Sequence, residues 1–340
     1  MSKMLEDYYH DVVEMILKYY QQRKILFWDK NTAFQKVLSE YGLAVAGYVS
    51  EDKNPDKGVL SVSGLKYHAS AYYLVIADKV RSKSDVSLLK SMGMREGRDF
   101  VFLRRTKIVI PPSMEEYSDT YGNTVHNNGL RIVLSPYCFH VDITVGKGSR
   151  TNSDFSINVF RNGHAKVHIG NFCKLRKGSI RVYGAGQITI GDYADFGEDT
   201  SLVCLDNNII QIGRDALFAR QVTIFSGDGH AIFDMKTGKR TNLYPLGDDK
   251  GKVIIGDHVW LGFSVMVLNH AEIGNSCVVG ACSLFKGKLP DNCIAAGNPA
   301  RIIREGINWA HSPFAESIEE CYDLFDSDEE STPPPISLIL

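Results

Sequence analysis

A short phrase, Ile-Gly followed by Asp, Asn or Arg, recurs from the middle of the chain onward and constrains the fold more than any other feature. It stands at residues 169–171, 190–192, 212–214, 255–257 and 273–275. Reading six residues at a time from Ile255 places an apolar side chain first in every hexad: Ile255, Leu261, Val267, Ile273, Val279 and Phe285. The fifth positions are Val259, Val265, Ala271, Cys277, Ser283 and Leu289. A fixed short period of this kind is typical of stacked repeats.

One hexad suffices for one short strand and one turn, so three hexads close one coil of a triangular prism. Ile255 and Ile273 are 18 apart, and we expect them to stack in the interior. The steps from Ile169 to Ile190 and from there to Ile212 are 21 and 22 residues long, which predicts small protrusions. The step from Ile212 to Ile255 is 43 residues, 25 more than one coil. A long loop is therefore predicted between these two isoleucines.

The N-terminal segment, 1–110, has a different pattern, in which apolar runs alternate with amphipathic segments. Helices are predicted at 4–22, 33–41 and 84–94, and strands at 24–28, 43–49, 72–77 and 99–103. This alternation indicates a small parallel α/β sheet. Residues 28–33, at the first turn from strand to helix, contain no glycine, so a close approach of the backbone to a pyrophosphate is hindered. We expect a structural or docking role for this region, with nucleotide binding as the alternative.

Length and pattern divide the chain into segments, since 340 residues at about 150 per domain predict about two domains. The Pro111-Pro112 pair and the polar residues after it suggest a linker. Trp309, Phe314, Tyr322 and Phe325 have helical spacing and precede an acidic, proline-rich stretch that we expect to be disordered. The predicted segments are an α/β domain at 1–110, a linker at 111–130, a β-helix at 131–305, and a capping helix with an acidic tail at 306–340.

Charge and cysteine content exclude several classes of protein. The 38 Lys and Arg against 40 Asp and Glu give a net charge of −2, without the basic excess that a dedicated nucleic-acid binder needs. The seven cysteines are scattered and form no CxxC pair, so we expect neither a disulfide framework nor a metal site. No apolar run reaches the roughly 20 residues of a membrane span, and the N-terminus is unlike a signal peptide. These features fit the cytoplasm, with peripheral membrane contact left open.

Three phrases occur in order along the hexads: VIIGDHVWLG at 253–262, Ile273-Gly274 leading to VGACS at 279–283, and AGNPAR at 296–301. With them, residues 140–305 resemble the hexapeptide-repeat acyltransferases, and in particular the polysaccharide and sugar O-acetyltransferases. The resemblance implies a left-handed parallel β-helix, a homotrimer with sites between neighbouring prisms, and transfer from acetyl-CoA to a saccharide. The N-terminal segment, 1–110, resembles the Rossmann-like modules that precede such domains in amino-sugar acetyltransferases.

The long loop begins with SGDGHAIFD at 226–234, where the catalytic loop histidine of that family matches His230. A sugar hydroxyl is a weak acid, so it attacks a thioester efficiently only if a base removes its proton. Histidine suits this task. Asp228 and Asp234 are candidates to orient the imidazole, with a backbone carbonyl as the alternative. The competing interpretation is a surface histidine in a polar loop.

Trp260 and two turn histidines are further candidates. Trp260 ends its hexad and should project from a corner. By resemblance to the sialic-acid-polymer O-acetyltransferases, it corresponds to a tryptophan that lies at their active site. It is expected to pack against the donor or to donate its N–H, unless it is an intersubunit anchor. His258 and His270 stand at turns, where side chains should point outward. His270, with Asn269, replaces the more usual Pro-Gly-type turn and is a candidate acceptor contact.

Small and basic residues mark a candidate coenzyme A site. Small side chains on successive coils would leave backbone amides within reach of the pantetheine: Gly262, Ser264, Gly280, Ala281 and Ser283. Cations for the phosphates follow toward the C-terminus: Lys286, Lys288, Arg301 and Arg304. In the family pattern, basic residues after Gly-Asn-Pro-Ala match Arg301 and Arg304. Solvated charges are the alternative interpretation.

The sequence thus predicts an acetyl-CoA-dependent O-acetyltransferase that acts on a capsular or lipopolysaccharide sugar by direct transfer in a ternary complex. N-acetylation of a nucleotide-linked amino sugar is the alternative within enzymes. A non-catalytic β-helix that serves assembly is the alternative outside them.

Overall fold

The structure is a computed structural model, and it describes most of the chain. The described residues are 3–28, 31–50, 59–76, 83–103, 107–119, 121–136, 138–151, 154–160, 164–205, 207–242 and 251–321. No helix within these ranges combines the length and apolar character needed to cross a membrane.

The N-terminal region is a parallel sheet with helices on both sides. Its elements are α1 (Lys3–Tyr19), β1 (Lys24–Trp28), α2 (Thr32–Glu40), β2 (Val45–Ser50), β3 (Val59–Ser61), α3 (Val62–His68), a 3-10 turn (Ala69–Ala71), β4 (Tyr72–Ile76), α4 (Lys83–Ser91) and β5 (Phe100–Phe102). The strand order is β3-β2-β1-β4-β5. The predicted α/β alternation is confirmed, while β3 and α3 were not foreseen.

The two faces of this sheet bury different side chains, because successive residues of a strand point to opposite sides. Ile25 and Phe27 pack with residues of α1 and α2, whereas Leu26 and Trp28 pack with residues of α3 and α4. Phe139, from the first coils of the β-helix, belongs to the same cluster as Ile25 and Phe27. The sheet therefore packs against the base of the β-helix through its α1 side.

The rest of the described chain is a parallel β-helix of short strands. They are β6 (Ile108–Ile110), β7 (Glu116–Ser118), β8 (Thr124–His126), β9 (Arg131–Leu134), β10 (Asp142–Val145), β11 (Arg150–Thr151), β12 (Phe155–Phe160), β13 (Lys166–Ile169), β14 (Lys174–Leu175), β15 (Gly178–Tyr183), β16 (Gln187–Ile190), β17 (Asp195–Phe196), β18 (Thr200–Cys204), β19 (Ile209–Ile212), β20 (Leu217–Phe218), β21 (Thr223–Phe225), β22 (Lys252–Ile255), β23 (Trp260–Leu261), β24 (Met266–Leu268), β25 (Ala271–Ile273), β26 (Val278–Val279), β27 (Leu284–Phe285), β28 (Lys288–Leu289), β29 (Cys293–Gly297) and β30 (Ala300–Glu305).

These strands form three sheets, one for each face of a triangular prism. Face 1 has the order β28-β25-β22-β19-β16-β13-β10-β8-β7. Face 2 is β11-β14-β17-β20-β23-β26-β29-β30, and face 3 is β27-β24-β21-β18-β15-β12-β9-β6. Each coil runs through faces 1, 2 and 3 in turn, and the repeated isoleucines stack, as Ile212 pairs with Ile255 and Ile255 with Ile273.

The interior follows the hexad prediction. All first-position and fifth-position side chains read from Ile255 to Leu289 are buried, and all of them except Ser283 belong to one continuous hydrophobic core. Stacked coils approach so closely that a Cβ atom added to Gly256 would lie 2.9 Å from the Asn275 backbone nitrogen. The repeated glycine therefore permits the coil spacing, and the predicted hexapeptide architecture is confirmed.

The predicted linker at 111–130 differs from the structure. Strands β7 and β8 lie within it, and β8 pairs in parallel with β10 of the next coil. Val125 and Leu130 are buried in the β-helix core. The polar residues that suggested a linker serve a turn, since the Asn127 amide donates to the Met114 and Leu130 carbonyls and accepts from the Leu130 backbone N–H.

The capping helix predicted after residue 306 is wrong for the part that the structure describes. Residues 307–314, which we call the C-terminal strap, have no helical structure, and only a 3-10 turn occurs at Glu319–Cys321. Pro313 would interrupt a helix that began near Ile307, because proline lacks the N–H and clashes with the preceding turn. Instead, β30 pairs with β29 and ends face 2. The acidic tail from residue 322 lies outside the described residues.

Candidate active site

The long loop predicted between Ile212 and Ile255 leaves the β-helix at the corner between faces 3 and 1. It runs from the end of β21 to the start of β22, and its two ends are tied to the coil below. The Asn208 amide donates to the Ser226 carbonyl at 2.7 Å and accepts from the Gly251 N–H at 3.0 Å. The Ser226 hydroxyl oxygen accepts from the Leu205 N–H at 3.0 Å. Since Asn208 and Ser226 are buried, the loop has a fixed base.

His230 is exposed near the start of this loop, and a second asparagine holds the backbone around it. The Asn242 amide donates to the His230 carbonyl at 2.6 Å and to Asp228 Oδ2 at 3.1 Å. Its oxygen accepts from the Ile232 N–H at 2.8 Å. Sequence reasoning missed both Asn208 and Asn242. Asn208 lies one coil before the loop in the sequence, so its position does not mark it as a contact of the loop.

The two predicted carboxylate partners of His230 have other contacts. Asp228 accepts from Asn242, while Asp234 accepts from the Lys236 and Thr237 N–H groups and from the Thr237 hydroxyl. These bonds, led by the one from the Thr237 backbone, hold the pKa of Asp234 below its usual value. Among the described residues, neither carboxylate is hydrogen-bonded to the His230 imidazole. Asp234 thus orders a turn of the loop instead.

His270 and Trp260 lie on different sides of the prism. His270 is exposed at the same corner as the loop, one coil further on, and its N–H donates to the Lys252 carbonyl at 2.8 Å. Asn269 beside it is buried. Trp260 begins β23 on face 2, just past the corner between faces 1 and 2, and is 40% exposed. Within one chain, Trp260 and His230 therefore belong to different corners.

His258 contradicts the prediction that it points outward. It is buried, and its Nδ1 lies 2.6 Å from Asp215 Oδ2, while Nε2 lies 2.7 Å from the Trp309 carbonyl oxygen. His311 Nε2 lies 2.8 Å from Asp215 Oδ1. The C-terminal strap covers this corner, which hexad spacing alone could not reveal. Asp215, His258 and His311 are metal-ligating residue types, but these separations are those of direct hydrogen bonds.

Opposing effects act on the pKa of Asp215. Burial raises it, but hydrogen bonds from His258 and His311 outweigh burial and leave the pKa below its usual value. The carboxylate is therefore the charged centre of this corner.

The predicted coenzyme A groove is only partly available. The N–H groups of Gly262 and Gly280 donate to carbonyls of the next coil, Val279 and Ala295, so these amides are not free to meet pantetheine. Ser283 is buried, and its hydroxyl accepts from the Gly297 N–H at 2.9 Å.

The other two small residues remain accessible. Ala281 is exposed, and Ser264 is partly exposed while its hydroxyl donates to Gln221 Oε1 at 2.9 Å. A donor groove at the corner between faces 2 and 3 would therefore rest on Ser264 and Ala281.

The predicted cations do not form one cluster. Lys288 lies on face 1, where it pairs with Glu272 at 2.7 Å. Arg301 and Arg304 are exposed on β30 of face 2, and Lys286 is exposed after β27. Of the four, only the two arginines share a strand.

Comparisons with known proteins agree with this architecture. The family model "Bacterial transferase hexapeptide (six repeats)" matches residues 252–287. Over 144 residues, 42% of this chain and 45% of the relative, the chain is 33% identical to the polysialic acid O-acetyltransferase of Escherichia coli O1:K1 / APEC. It is 33% identical over 128 residues, 37% of this chain and 64% of the relative, to the putative lipopolysaccharide biosynthesis O-acetyl transferase WbbJ of Escherichia coli K12. The solved polysialic acid O-acetyltransferase OatWY aligns with a TM-score of 0.45 at 21% identity, over 53% of this chain and 91% of that chain.

The stretch that the family model matches, residues 252–287, lies within the stacked hexads of the β-helix, so this part of the chain is similar to bacterial transferase hexapeptide proteins. The expected resemblance to polysaccharide and sugar O-acetyltransferases is confirmed by the relatives found. The matched segments span less than two thirds of those relatives, 45% and 64% of their lengths.

Proposed function

We propose that this protein is an acetyl-CoA-dependent O-acetyltransferase that acts on a carbohydrate hydroxyl, with His230 as the general base. The observation that carries the proposal is an exposed imidazole on a loop whose base is fixed to a β-helix by Asn208. The relatives support the reaction class, since their names describe O-acetyl transfer. The acceptor is proposed to be a capsular or lipopolysaccharide sugar, and the site of action the cytoplasm.

The reaction is a direct transfer in a ternary complex. The His230 imidazole removes the proton of the sugar hydroxyl while the oxygen attacks the thioester carbonyl of acetyl-CoA. The new C–O bond forms, the C–S bond breaks, and the proton passes from the imidazolium to the departing thiolate. Asn242 holds the His230 backbone during this sequence. His270, exposed at the same corner, is proposed to contact the acceptor.

The donor is proposed to lie along faces 2 and 3. Trp260, with an exposed indole, would pack against the acyl donor or donate its N–H toward the reacting carbonyl. Arg301 and Arg304 would bind the phosphates of coenzyme A, because guanidinium groups match phosphate geometry. The partly exposed Ser264 and the exposed Ala281 would border the pantetheine.

The assembly is proposed to be a homotrimer. Trp260 and His230 occupy different corners of one prism, so a site that uses both requires a second copy of the chain. The exposed Trp260 and Phe263 would lie at such a seam. Light scattering of an active preparation checks this, and a monomer mass would contradict it.

Product chemistry tests the activity. Candidate glycans are incubated with the protein and acetyl-CoA and analysed by mass spectrometry, before and after mild base. A base-labile acetyl group that disappears with His230→Ala supports the proposal. His126→Ala, at an exposed histidine on β8, is the matched control. A base-stable product would instead indicate N-acetylation, and no transfer to any glycan or amino sugar would favour an assembly role.

A further inference from the structure

The C-terminal strap runs along the corner between faces 1 and 2 and contacts three of the coils. The Ile307 N–H donates to the Asn292 carbonyl at 2.9 Å, near the last strands of the β-helix. Trp309 then meets His258, and His311 meets Asp215 one coil below. Each of the three corner residues has a φ between 54° and 58°, so the strap follows equivalent turn positions.

Trp309 of the strap is fixed to the β-helix by several contacts with His258. It is buried, its indole N–H donates to the His258 carbonyl at 2.8 Å, and its own carbonyl accepts from the His258 ring. The two rings stack with centroids 4.0 Å apart and planes 3° apart. Two hydrogen bonds and one ring stack therefore fix the indole of Trp309 to a single coil residue.

The hydrogen bonds of His258 connect Trp309 to a buried carboxylate. The Trp309 carbonyl can only accept, so the N–H of that bond belongs to His258 Nε2, and Nδ1 lies at hydrogen-bond distance from the Asp215 carboxylate. His258 thus bridges the Trp309 carbonyl and a buried carboxylate. The other oxygen of Asp215 accepts from His311 on the strap. One carboxylate joins a coil histidine to a strap histidine, and we call Asp215, His258 and His311 the clasp.

The fastened Trp309 has a second neighbour, Trp260. The ring centroids of the two tryptophans are 6.0 Å apart and their planes are tilted by 46°. Trp309 therefore occupies one side of the Trp260 indole, while the rest of that indole remains exposed. A bulky ring on one side restricts the orientations that an exposed indole can adopt.

We propose that the strap is a positioning element of the acyltransferase site: the clasp holds Trp309, and Trp309 fixes the orientation of Trp260. The inference rests on the proposed function only in that Trp260 serves acyl transfer. Misplacement of an oriented group by a fraction of an ångström to an ångström is costly in rate, so a positioning residue affects turnover without touching substrate.

Fluorine NMR on the full chain labelled with 5-fluorotryptophan tests the positioning directly. The three tryptophans give three resonances, and Trp260→Phe and Trp309→Phe assign two of them. His311→Ala, on the exposed side of the clasp, is expected to shift or broaden the resonances of both Trp309 and Trp260. Phe314→Ala is the matched control on the same strap, because that side chain is 85% exposed.

Kinetics give the second readout. His311→Ala is expected to lower kcat/KM for acetyl-CoA about tenfold, the scale of one lost charge-assisted hydrogen bond, and Phe314→Ala to leave it unchanged. Asp215→Ala should act like His311→Ala or more strongly. Asp215→Asn should restore much of the loss, because the amide oxygen can accept from His311 and the amide N–H can donate to His258 Nδ1. Thermal melting confirms that each variant is folded.

The outcomes separate this inference from the proposed function. If His311→Ala and Asp215→Ala leave both the Trp260 resonance and kcat/KM unchanged while His230→Ala abolishes turnover, the positioning role is wrong and the activity stands. If the Trp260 resonance moves but the wild-type protein transfers no acetyl group, the clasp controls Trp260 and the proposed function is wrong. A shift of Trp309 alone, with Trp260 unmoved, also overturns the positioning role.

Discussion

In the coils around Ile273, every first and fifth hexad side chain is buried against equivalent residues of the neighbouring coils. The described part of the loop that carries His230 has a different basis, since most of its residues beyond Gly227 are exposed and a few polar side chains hold it. Asn208 ties its ends, Asn242 ties the backbone at His230, and Asp234 orders a turn.

The coils therefore provide stability, and the loop carries the reactive group. The coil interior has many equivalent contacts, so the scaffold is rigid. Only a severe substitution is expected to unfold it. The loop depends on single hydrogen bonds, so one amide can decide where the imidazole lies. Reactive groups placed on loops above a rigid scaffold are common for this reason. Four substitutions test the contrast between the two regions.

Ile273→Asp is expected to have the largest effect, because it buries an unpaired carboxylate between two coils. The free energy of unfolding should fall by roughly 4 kcal/mol or more, or the chain should fail to fold. Chemical denaturation measures the change. Glu272→Ala, at the exposed neighbour, is the control and should stay within about 0.5 kcal/mol, since its surface ion pair contributes little. A similar loss in both variants would contradict the buried stacking of Ile273.

His230→Ala is expected to lower kcat about 100-fold, the scale of a lost general base, with little change in the free energy of unfolding. KM for acetyl-CoA should change little, since the imidazole acts on the acceptor. Steady-state kinetics with both substrates varied provide the measurement. Wild-type turnover in this variant would remove the general-base assignment and direct attention to His270.

Asn208→Ala tests the hydrogen bonds that hold the two ends of the loop. It leaves the buried Ser226 carbonyl and Gly251 N–H without their partner, at a cost of about 1–3 kcal/mol, and kcat should fall while the coils remain intact. Denaturation and kinetics are measured together. Asn207→Gly is the control, because this exposed neighbour has a φ of 59° that glycine adopts readily. An unchanged kcat in Asn208→Ala would show that the hydrogen bonds of Asn208 at the ends of the loop do not position His230.

Arg301→Ala is expected to have the smallest effect, a rise of a few-fold in KM for acetyl-CoA with kcat nearly constant. Phosphate contacts act equally in the ground state and the transition state, so they change binding and not the chemical step. Arg304→Ala should behave in the same way, and added salt should reduce both effects. Arg131→Ala, at an exposed arginine of β9 near the other end of the β-helix, is the control. A fall in kcat without a change in KM would contradict the phosphate role.

Periodic features were predictable from the sequence. The hexads gave the stacking of Ile255 on Ile273 and the position of the long loop, because burial of a repeated side chain repeats with the coil. The alternation of apolar runs with amphipathic segments in the N-terminal segment predicted the parallel sheet, because buried strands and the helices that cover them alternate along the chain. At 111–130 and after 306 the period stops, and for the residues that the structure describes there, the linker and the helix were both wrongly predicted.

Contacts between residues far apart in the chain were decided by the tertiary structure alone. Whether His258 points outward depends on Trp309, 51 positions later, and Asp215 gains its second histidine 96 positions away. No local pattern encodes such pairs, since they arise only when the strap returns along a corner that the coils have already formed. The sequence by itself determined the prism and the exit of the loop, whereas packing and hydrogen bonding in three dimensions decided which polar side chains hold the site.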